Sequence, residues 1–550
     1  MLIDTSSGCL CDKLEQATAF EKTPTFKELI SSVTTHIDHA HIQREVGKYF
    51  RYAMFSHKWE DNEPLFEMVI KVLVYDLEAS PEHEKLQMFC KIVREAGFNW
   101  AWSDTCCINK GNHFVLQEAL VSMFKWYERS AMTIIFLRGV NRLAKRGALT
   151  RNIWNMRAWT LQEYHASKVV RIYTEDWTPY LGLNIHNHKE SPEIISEMEE
   201  ATGVSAQALK ALHPGLDDIR EKLRLASTRQ TTRVEDAAYS LLGIFSISLP
   251  ITYGEGNKAL GRLLAQLLTS SGDVNVLAWT GRSGDLNSCL PSSITVFKEL
   301  PTSHIPPAIP DAEMRTLVTG LRSLNVTMMT SLYDRVNELL VPSFSGRRMR
   351  LPCLTFKLGQ VLVSRSKSGR VFRAQTNGLG VVELRTEEDL SQLGSLCLIH
   401  PWIDFLLDRQ PVGNITGTIA EENNDEEQPP VLSELLSSSN PSSTTSSTLQ
   451  VRAARFIARL GRPFGGRPTT DTISLLPPST LAPSEKQTRV LEFIARLRRP
   501  FGALLLTPTR RNVEEYRRVA AESLITVQVK QITPEILEKL TNGVRMLDVL

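Results

Sequence analysis

Residues 113–137 read HFVLQEALVSMFKWYERSAMTIIFL, and this stretch decides the fold class. Its first part repeats apolar side chains at the spacing of one helix face, which predicts a helix over 113–129 with a buried stripe. The members of that stripe are Leu116, Leu120, Met123, Phe124 and Tyr127. Met132–Leu137 is apolar or β-branched without a break, which is typical of a fully buried strand.

Strands of the same character stand on either side of this helix and strand. We predict them at Tyr52–Ser56, Asn99–Asp104 and Val169–Tyr173, with helices at about 63–78, at about 81–96 and across the tryptophan-rich stretch Trp154–Tyr164. Strands that alternate with helices indicate βαβ units and therefore a parallel sheet with flanking helices. The sequence thus predicts an α/β domain.

Polar residues follow two of the predicted strands directly. Ser56–Trp59 comes after the first strand, and Asp104–Asn109 comes after the second. Ligands of open parallel sheets bind outside the carboxyl ends of the strands. We therefore expect these two segments to meet at one edge of the sheet.

Composition and charge argue against several classes of protein. The chain has 550 residues, enough for two or three domains, and a formal net charge of +2 from 63 basic and 61 acidic side chains. This balance gives no reason to expect nucleic acid as a partner. No window is apolar enough to span a bilayer, and the N-terminus lacks the pattern of a secretory signal.

The eight cysteines lack the spacing of a disulfide framework, because Cys106 and Cys107 are adjacent and Cys9 and Cys11 are too close for ordinary bridging. A reducing environment, and hence a cytoplasmic location, is expected. Histidines cluster at 36–41, but no Cys-x-x-Cys pair or zincin helix motif accompanies them. We therefore predict no metal site.

The composition changes along the chain and suggests several parts. The acidic and then Ser/Thr/Pro-rich tract Glu421–Thr448 cannot bury enough apolar surface to fold. The predicted parts are a lead-in at 1–50, the α/β domain at 51–180, a helical extension at 181–281, a β-rich domain at 282–411 plus 512–550, and a disordered linker with a basic repeat insertion at 412–511.

Two local patterns near the end of the helical extension also make predictions. Thr232 and Glu235 have the spacing of a capping box, which predicts the start of a helix there. The stretch Asp273–Trp279, DVNVLAW, predicts a strand.

An internal repeat lies beyond the low-complexity tract. Phe456–Gly465 reads FIARLGRPFG, and FIARLRRPFG recurs 37 positions later at Phe493–Gly502. Residues 452–518 hold 14 basic and 5 acidic side chains. Three interpretations remain open: an interaction helix, attachment to an anionic surface, and a duplicated solvated insertion. Nucleic-acid binding through this segment would show itself as a steeply salt-dependent affinity.

The stretch Trp154–Tyr164, WNMRAWTLQEY, concentrates chemically distinctive side chains within about three helical turns. It contains two indoles, a guanidinium, an amide and a carboxylate. Arginine and glutamate must be paired when they are buried. A glutamate in a cleft also has a basicity that its surroundings can tune. The stretch is therefore either a functional site or a polar cluster inside a core.

Four sequence blocks, taken in order, closely resemble the fungal heterokaryon incompatibility (HET) domain. They are FSHKW at 55–59, WSDTCCIN at 102–109, RAWTLQE at 157–163, and RVEDAAYSLLG at 233–243 running into YGEG at 253–256. The resemblance covers residues 25–280. Glu60 stands where the family usually has glycine, and Asn109-Lys110 replaces a common Asp-Gln pair. The second change turns a carboxylate into an amide, which argues against a catalytic or metal-binding role for that position.

This resemblance implies an effector of nonself recognition between fungal strains that triggers regulated cell death. It also implies a fold distantly similar to Toll/interleukin receptor (TIR) domains, with a flavodoxin-like parallel sheet. The expected partners are further copies of the chain or other incompatibility proteins. Some TIR domains hydrolyse NAD with one glutamate, so the alternative function is an NAD-hydrolysing enzyme, with NAD as its substrate.

NAD hydrolysis needs a carboxylate that stabilises the positive charge developing on the ribose as nicotinamide leaves. Glu163 is the candidate for this catalytic role. Trp159 or Trp59 would stack on the base, and Arg157 would bind the diphosphate with two parallel hydrogen bonds. The full set of ligand-binding or structural candidates is Ser56, Trp59, Asp104, Arg157, Trp159, Gln162, Asp236 and Glu255.

A purely structural role for the same residues is the competing interpretation. Arg157 and Glu163 are six positions apart, so they are not neighbours on one helix face. They would instead pair with Asp104 or Lys58 on other elements and hold the sheet edge together. No glycine-rich phosphate loop accompanies them.

A different chemistry is also conceivable at the end of the first two strands. It would use Cys106 as a nucleophile and His57 as its general base.

Overall fold

The computed structural model describes two compact units within the chain. Among the described residues, the N-terminal unit comprises 1–210 and the C-terminal unit comprises 211–401 and 483–550. The described residues are 1–33, 38–211, 213–298, 326–339, 341–366, 369–376, 378–390, 393, 395–401, 483–510 and 515–550.

The N-terminal unit is built on a six-stranded sheet in the order β2-β1-β4-β3-β5-β6. Its strands are β1 (Leu2–Asp4), β2 (Leu10–Cys11), β3 (Tyr52–His57), β4 (Trp100–Trp102), β5 (Met132–Leu137) and β6 (Val170–Thr174). Strands β4, β3, β5 and β6 are parallel, whereas β1 runs antiparallel to both β4 and β2. The predicted parallel sheet is therefore confirmed. It is extended by two strands from the part of the sequence that was expected to be only a lead-in.

Helices connect and flank these strands. Their bounds are α1 (Lys13–Glu21), α2 (Pro24–Val33), α3 (His39–Tyr49), α4 (Phe66–Val69), α5 (Pro81–Glu95), α6 (His113–Arg129), α7 (Ala148–Arg151), α8 (Ile153–Met156), α9 (Trp159–Ala166), α10 (Pro192–Thr202) and α11 (Ala206–Ala211). Short 3-10 helices lie at Val74–Asp76, Tyr180–Gly182 and His188–Glu190. Helix α6 begins where predicted, because the Asn112 side chain accepts hydrogen bonds from the first free backbone N–H groups.

Two predicted helices of this unit are shorter than the sequence suggested. The helix expected at about 63–78 is reduced to α4 and one 3-10 turn. The tryptophan-rich stretch is divided between α8 and α9, because Arg157 has an extended backbone conformation. The Asn152 side chain accepts a 2.9 Å hydrogen bond from the Trp154 N–H and so starts α8 as a separate turn.

The C-terminal unit combines helices with a large, mainly antiparallel sheet. Its helices are α12 (Ile219–Ser227), α13 (Asp236–Tyr239), α14 (Lys258–Ser271), α15 (Val326–Asn337), α16 (Pro483–Leu497) and α17 (Pro534–Gly543). Its strands are β7 (Ser343–Ser345), β8 (Arg348–Ser366), β9 (Gly369–Thr376), β10 (Gly380–Arg385), β11 (Cys397–Pro401), β12 (Phe501–Pro508), β13 (Glu515–Arg518), β14 (Ile525–Val527) and β15 (Val544–Val549). This confirms a β-rich part toward the end of the chain.

The sheet of the C-terminal unit closes on itself. Its strands follow the order β10-β9-β8-β11-β12-β13-β15, and β15 pairs again with β8. The 19 residues of β8 are long enough to pair with β9 in one half and with β11 and β15 in the other. Closure removes exposed strand edges from the ring β8-β11-β12-β13-β15.

The second copy of the repeat, Phe493–Gly502, belongs to this core. It forms the end of α16 and the start of β12, and its side chains Phe493, Ile494, Leu497 and Phe501 are at most 3% exposed. The prediction of a disordered insertion over 412–511 is therefore wrong for 483–510. A count of charges does not reveal that α16 is amphipathic and packs its apolar face inward. Arg498, just beyond the helix, is exposed. The first copy and the tract Glu421–Thr448 lie outside the described residues.

Two local predictions in the C-terminal unit also need correction. Asp273–Trp279 contains a 3-10 helix at Val274–Leu277 in place of a strand. The capping box at Thr232 and Glu235 does not form, because the Glu235 carboxylate accepts hydrogen bonds from the backbone N–H groups of Gly254 and Gly256 instead.

Within the described residues, none of the helices is both long and apolar enough to cross a bilayer.

Candidate functional site

A buried chain of hydrogen bonds joins β3 to α8 and α9 near the carboxyl end of the parallel sheet. The Ser56 hydroxyl donates to Oε2 of Glu163 at 2.5 Å and accepts from the indole N–H of Trp154 at 2.7 Å. Ser56 is 0%, Trp154 1% and Glu163 5% exposed, so this Ser56–Trp154–Glu163 chain is closed to solvent. One hydroxyl therefore fixes two helices against one strand.

The break between α8 and α9 is itself held by hydrogen bonds. The Thr160 hydroxyl lies 2.7 Å from the carbonyl oxygen of Trp154 and 2.9 Å from that of Arg157, and it donates to this pair. The Ser167 hydroxyl donates to the backbone carbonyl of Glu163 at 2.6 Å. Trp154 also packs in the apolar core formed with β5 and β6. The two tryptophan-rich turns are thus anchored by both polar and apolar contacts.

A second cluster lies at the ends of β3 and β4. The Trp59 indole N–H donates to Oδ2 of Asp104 at 2.9 Å. The imidazole of His57 lies between two carboxylates, with Nε2 3.6 Å from Asp104 and Nδ1 3.6 Å from Glu63. The buried ammonium of Lys85 pairs with Glu63. The segments after the first two parallel strands therefore meet, as the parallel topology predicts.

Burial and charge act in opposite directions on the ionisable groups of this cluster. Burial lowers the pKa of His57 and outweighs the neighbouring carboxylates, so the imidazole is neutral near pH 7. Burial raises the pKa of Asp104, but contact with His57 and the charges of Lys110 and Arg157 lower it further than burial raises it. Asp104 is therefore an anion beside a neutral imidazole.

Two cations border this anion. The Lys110 ammonium lies 3.5 Å from the centre of the half-buried Trp59 ring. Burial lowers the pKa of Lys110. The Arg157 guanidinium donates a 2.8 Å hydrogen bond to the backbone carbonyl of His57 and acts electrostatically on Asp104. The structure thus brings Asp104, the anionic partner expected for Arg157, within electrostatic range, whereas Lys58, the cation considered for Glu163, pairs with Glu60.

The other candidate side chains near this cluster, Gln162, Trp159 and Trp59, differ in accessibility. Gln162 is 1% exposed, and its side-chain Nε2 has no hydrogen-bond partner among the described residues. Trp159 is half-buried, as is Trp59. Both tryptophans are therefore partly accessible, whereas the Gln162 side chain is buried.

Asp236 and Glu255 belong to the C-terminal unit, where each carboxylate is bonded to a tyrosine. The Tyr253 hydroxyl donates to Asp236 at 2.9 Å, and the Tyr239 hydroxyl donates to Glu255 at 2.5 Å. Arg262 adds a 2.6 Å ion pair to Glu255. These bonds tie α13 and α14 to the Tyr253–Gly256 turn, so residues of the fourth sequence block make packing contacts with one another.

Sequence reasoning missed Glu63, Lys85 and Tyr127 as members of the site. The Tyr127 hydroxyl donates to the carbonyl of Phe55 at 3.0 Å, and burial together with the charge of Glu163 raises its pKa. Lys85 is 3% exposed and interrupts the apolar face of α5. A lysine inside an apolar stripe was the available signal, because a buried cation requires an acidic partner.

The nucleophile considered at Cys106 is not supported. A hydrogen bond with Cys107 and burial raise the pKa of Cys106 well above that of a free thiol, so the thiolate is scarce. The groups facing His57 among the described residues are Asp104 and Glu63 rather than this thiol. Within the residues that the structure describes, no three His, Cys, Asp or Glu side chains are arranged to hold a metal ion.

The residues that match a known family include His57, Trp59 and Asp104 of this site but not Trp154 or Glu163. Residues 52–147 match the family described as heterokaryon incompatibility protein (HET). The chain is also similar to vegetative incompatibility protein HET-E-1 of Podospora anserina, with 33% identity over 227 residues. That alignment covers 40% of this chain and 16% of HET-E-1, so the chain spans a small part of that relative's length. No solved structure gives a significant match. Residues 52–147 are therefore a heterokaryon incompatibility domain, and the chain is a protein that contains this domain.

Proposed function

We propose that this protein is an effector of fungal nonself recognition, acting in heterokaryon incompatibility and triggering regulated cell death. The domain match and the incompatibility protein among its relatives support this role. The N-terminal unit would act by self-association through a TIR-like, flavodoxin-like fold. Its parallel strands follow the order β4-β3-β5-β6, which agrees with the 2-1-3-4 part of a flavodoxin-like sheet.

The burial of Glu163 favours a scaffold over an enzyme. Its side chain is buried and bonded at 2.5 Å to the Ser56 hydroxyl, which also accepts from the Trp154 indole. A catalytic carboxylate must reach the reacting atoms of a substrate. In this arrangement Glu163 instead stabilises the packing of α9 on β3, so death signalling would depend on the folded surface of the unit.

Expression in a filamentous fungal host tests the proposal. We expect the wild-type chain to stop growth, and we expect Glu163→Gln to do the same, because the amide oxygen can still accept from Ser56. Glu95→Gln, at an exposed position on α5, is the matched control. Healthy growth with wild-type protein accumulating in the cells would contradict the proposed function.

NAD hydrolysis is the second candidate, and one feature of the site favours it. The half-buried Trp59 ring, the anionic Asp104 and the cations Lys110 and Arg157 gather where ligands of parallel sheets bind. In this alternative Glu163 would stabilise the developing ribose cation, and Trp59 or Trp159 would stack on a base. Glu163 would first have to become exposed.

Purified full-length protein at high concentration, incubated with NAD, separates the two candidates. Release of free nicotinamide that is lost in Glu163→Gln and retained in Glu95→Gln supports the enzyme. Absence of turnover in protein that has self-associated and that kills the fungal host contradicts the enzyme and leaves the scaffold.

A further inference from the structure

An exposed apolar strip lies between β3 and α5 in the N-terminal unit. Five large hydrophobic side chains within nine consecutive positions are exposed by 39–45%: Leu65, Met68, Ile70, Val72 and Leu73. A single exposed apolar side chain is ordinary, whereas five within one short segment are typical of an interaction surface. We call these five residues the 65–73 strip.

The backbone beneath the strip is held firmly. Val69 and Val74 point inward and are 3% and 0% exposed. The N–H of Val74 donates to the carbonyl of Gly8 at 2.9 Å, and the Tyr75 hydroxyl donates to the carbonyl of Thr5 at 2.5 Å. The segment is therefore anchored directly after the strip, and its backbone loses less conformational entropy on binding than a loose loop would.

A glycine makes this anchoring possible. Gly8 has φ +76°, which favours glycine, and a Cβ there would lie 3.0 Å from the backbone nitrogen of Val74. The close approach of the β1–β2 hairpin to the segment under the strip thus depends on the missing side chain.

The charges within the strip indicate what kind of partner fits it. Glu67 and Lys71 are the only ionisable residues between positions 65 and 73, and both are exposed. An anionic membrane selects an excess of lysine and arginine, and a strongly acidic or basic protein selects the opposite sign. One acid and one base beside an apolar centre instead match a surface with the same composition.

We propose that the 65–73 strip binds the same strip of a second copy of this chain. In a two-fold symmetric interface the same patch meets itself, so Glu67 of one protomer faces Lys71 of its partner and the reverse pair forms as well. This inference rests on the self-association in the proposed function and names the surface that carries it. Glu67 also acts electrostatically on Lys110, so the interface borders the Trp59–Asp104 cluster.

Charge reversal tests the pairing directly. Sedimentation velocity of the full chain over a wide concentration range should show a reversible dimer. Glu67→Lys and Lys71→Glu should each weaken it by about tenfold or more, because like charges then face each other. An equimolar mixture of the two variants should restore association, since the two lysines that one variant carries in the strip would then face the two glutamates of the other.

Apolar substitution gives a second, matched test. Ile70→Asp should weaken the dimer by about tenfold or more through a buried, unpaired charge. Leu14→Asp should leave it unchanged, because Leu14 is 74% exposed on α1 and is not part of the strip. Unaltered melting temperatures of both variants would show that the fold is intact, as expected for exposed positions.

Several results would overturn the inference. They are a wild-type chain that stays monomeric at every concentration, charge-reversed variants that associate like wild type, or binding to lipid vesicles that Ile70→Asp abolishes. If Ile70→Asp still associates and still kills the fungal host, the strip is the wrong surface and the proposed function survives. If the wild-type chain associates through the strip but never stops growth, the inference survives and the proposed function fails.

Discussion

The Ser56 hydroxyl and the Glu163 carboxylate are 107 positions apart in the chain and 2.5 Å apart in the structure. Their hydrogen bond joins the end of β3 to α9, and the Trp154 indole donates to the same hydroxyl. The serine is fully buried and the glutamate is 5% exposed, so both depend on polar partners inside the protein. The residue that looked most reactive in the sequence is thus part of the packing of the sheet edge.

Ser56→Ala should destabilise the protein by about 1–3 kcal/mol, because the Trp154 N–H loses its acceptor and Glu163 loses a donor inside the core. Chemical denaturation monitored by tryptophan fluorescence measures this change. Trp154→Phe and the double variant complete a cycle. We expect the two effects to be non-additive, since both substitutions remove the same hydrogen bond. Strict additivity would show that the bond contributes nothing.

Arg518→Lys should destabilise the C-terminal unit by about 1–3 kcal/mol even though the charge is kept. The buried guanidinium donates to the carbonyls of Leu277 at 3.0 Å and Trp279 at 2.6 Å, and it lies 3.8 Å from the centre of the Trp279 ring. Burial lowers the pKa of Arg518 to about 10, and an ammonium cannot reproduce this planar contact.

The adjacent Arg517 provides the control for this substitution. It pairs with the partly exposed carboxylate of Glu388, so Arg517→Lys should change stability by no more than about 1 kcal/mol. Denaturant midpoints of the two variants make the comparison. Equal shifts at the two positions would contradict the role assigned to Arg518.

Acid should weaken the C-terminal unit through His400. Burial lowers the pKa of this imidazole from 6.5 to about 4, although its Nδ1 bonds the carbonyl of Gly502. Because the unfolded chain binds the proton at higher pH, the stability is fully present above about pH 6.5 and falls toward pH 4, by up to about 3 kcal/mol.

His400→Asn should remove this part of the pH dependence while keeping a donor near the Gly502 carbonyl. The free energy of unfolding, measured at several pH values between about pH 7 and pH 4, gives the slope for each protein. The prediction fails if the variant loses stability with acid as steeply as the wild type.

Phe493→Ala should cost about 3–5 kcal/mol, as expected for a large side chain removed from a packed core. Phe493 is 1% exposed and contacts Tyr333 on α15, with their ring centres 5.8 Å apart. Arg498→Ala, at an exposed position just beyond α16, should stay within about 0.5 kcal/mol of wild type. Thermal or chemical denaturation of the two variants distinguishes a core helix from a solvated insertion, for which both substitutions would be mild.

The sequence predicted the parallel sheet and most of its elements because apolar periodicity is a local property. It placed β5 and α6 at their observed bounds, and it indicated that Ser56–Trp59 and Asp104–Asn109 follow neighbouring strand ends. It did not predict β1 and β2, which are short; β1 pairs with β4 across almost a hundred positions, and β2 pairs with β1. The second repeat copy was predicted to belong to a disordered insertion, because charge counts do not show which face of a helix is apolar.

Local apolar patterns were enough to locate the four parallel strands and the helices α5 and α6, and the motif blocks pointed to the family. The partners of those motifs depend on tertiary packing. It placed Ser56 between Trp154 and Glu163, set His57 between Asp104 and Glu63, and buried Phe493 in a closed sheet. Periodicity depends on neighbours within a few positions, whereas hydrogen bonds and burial depend on segments that only the fold brings together.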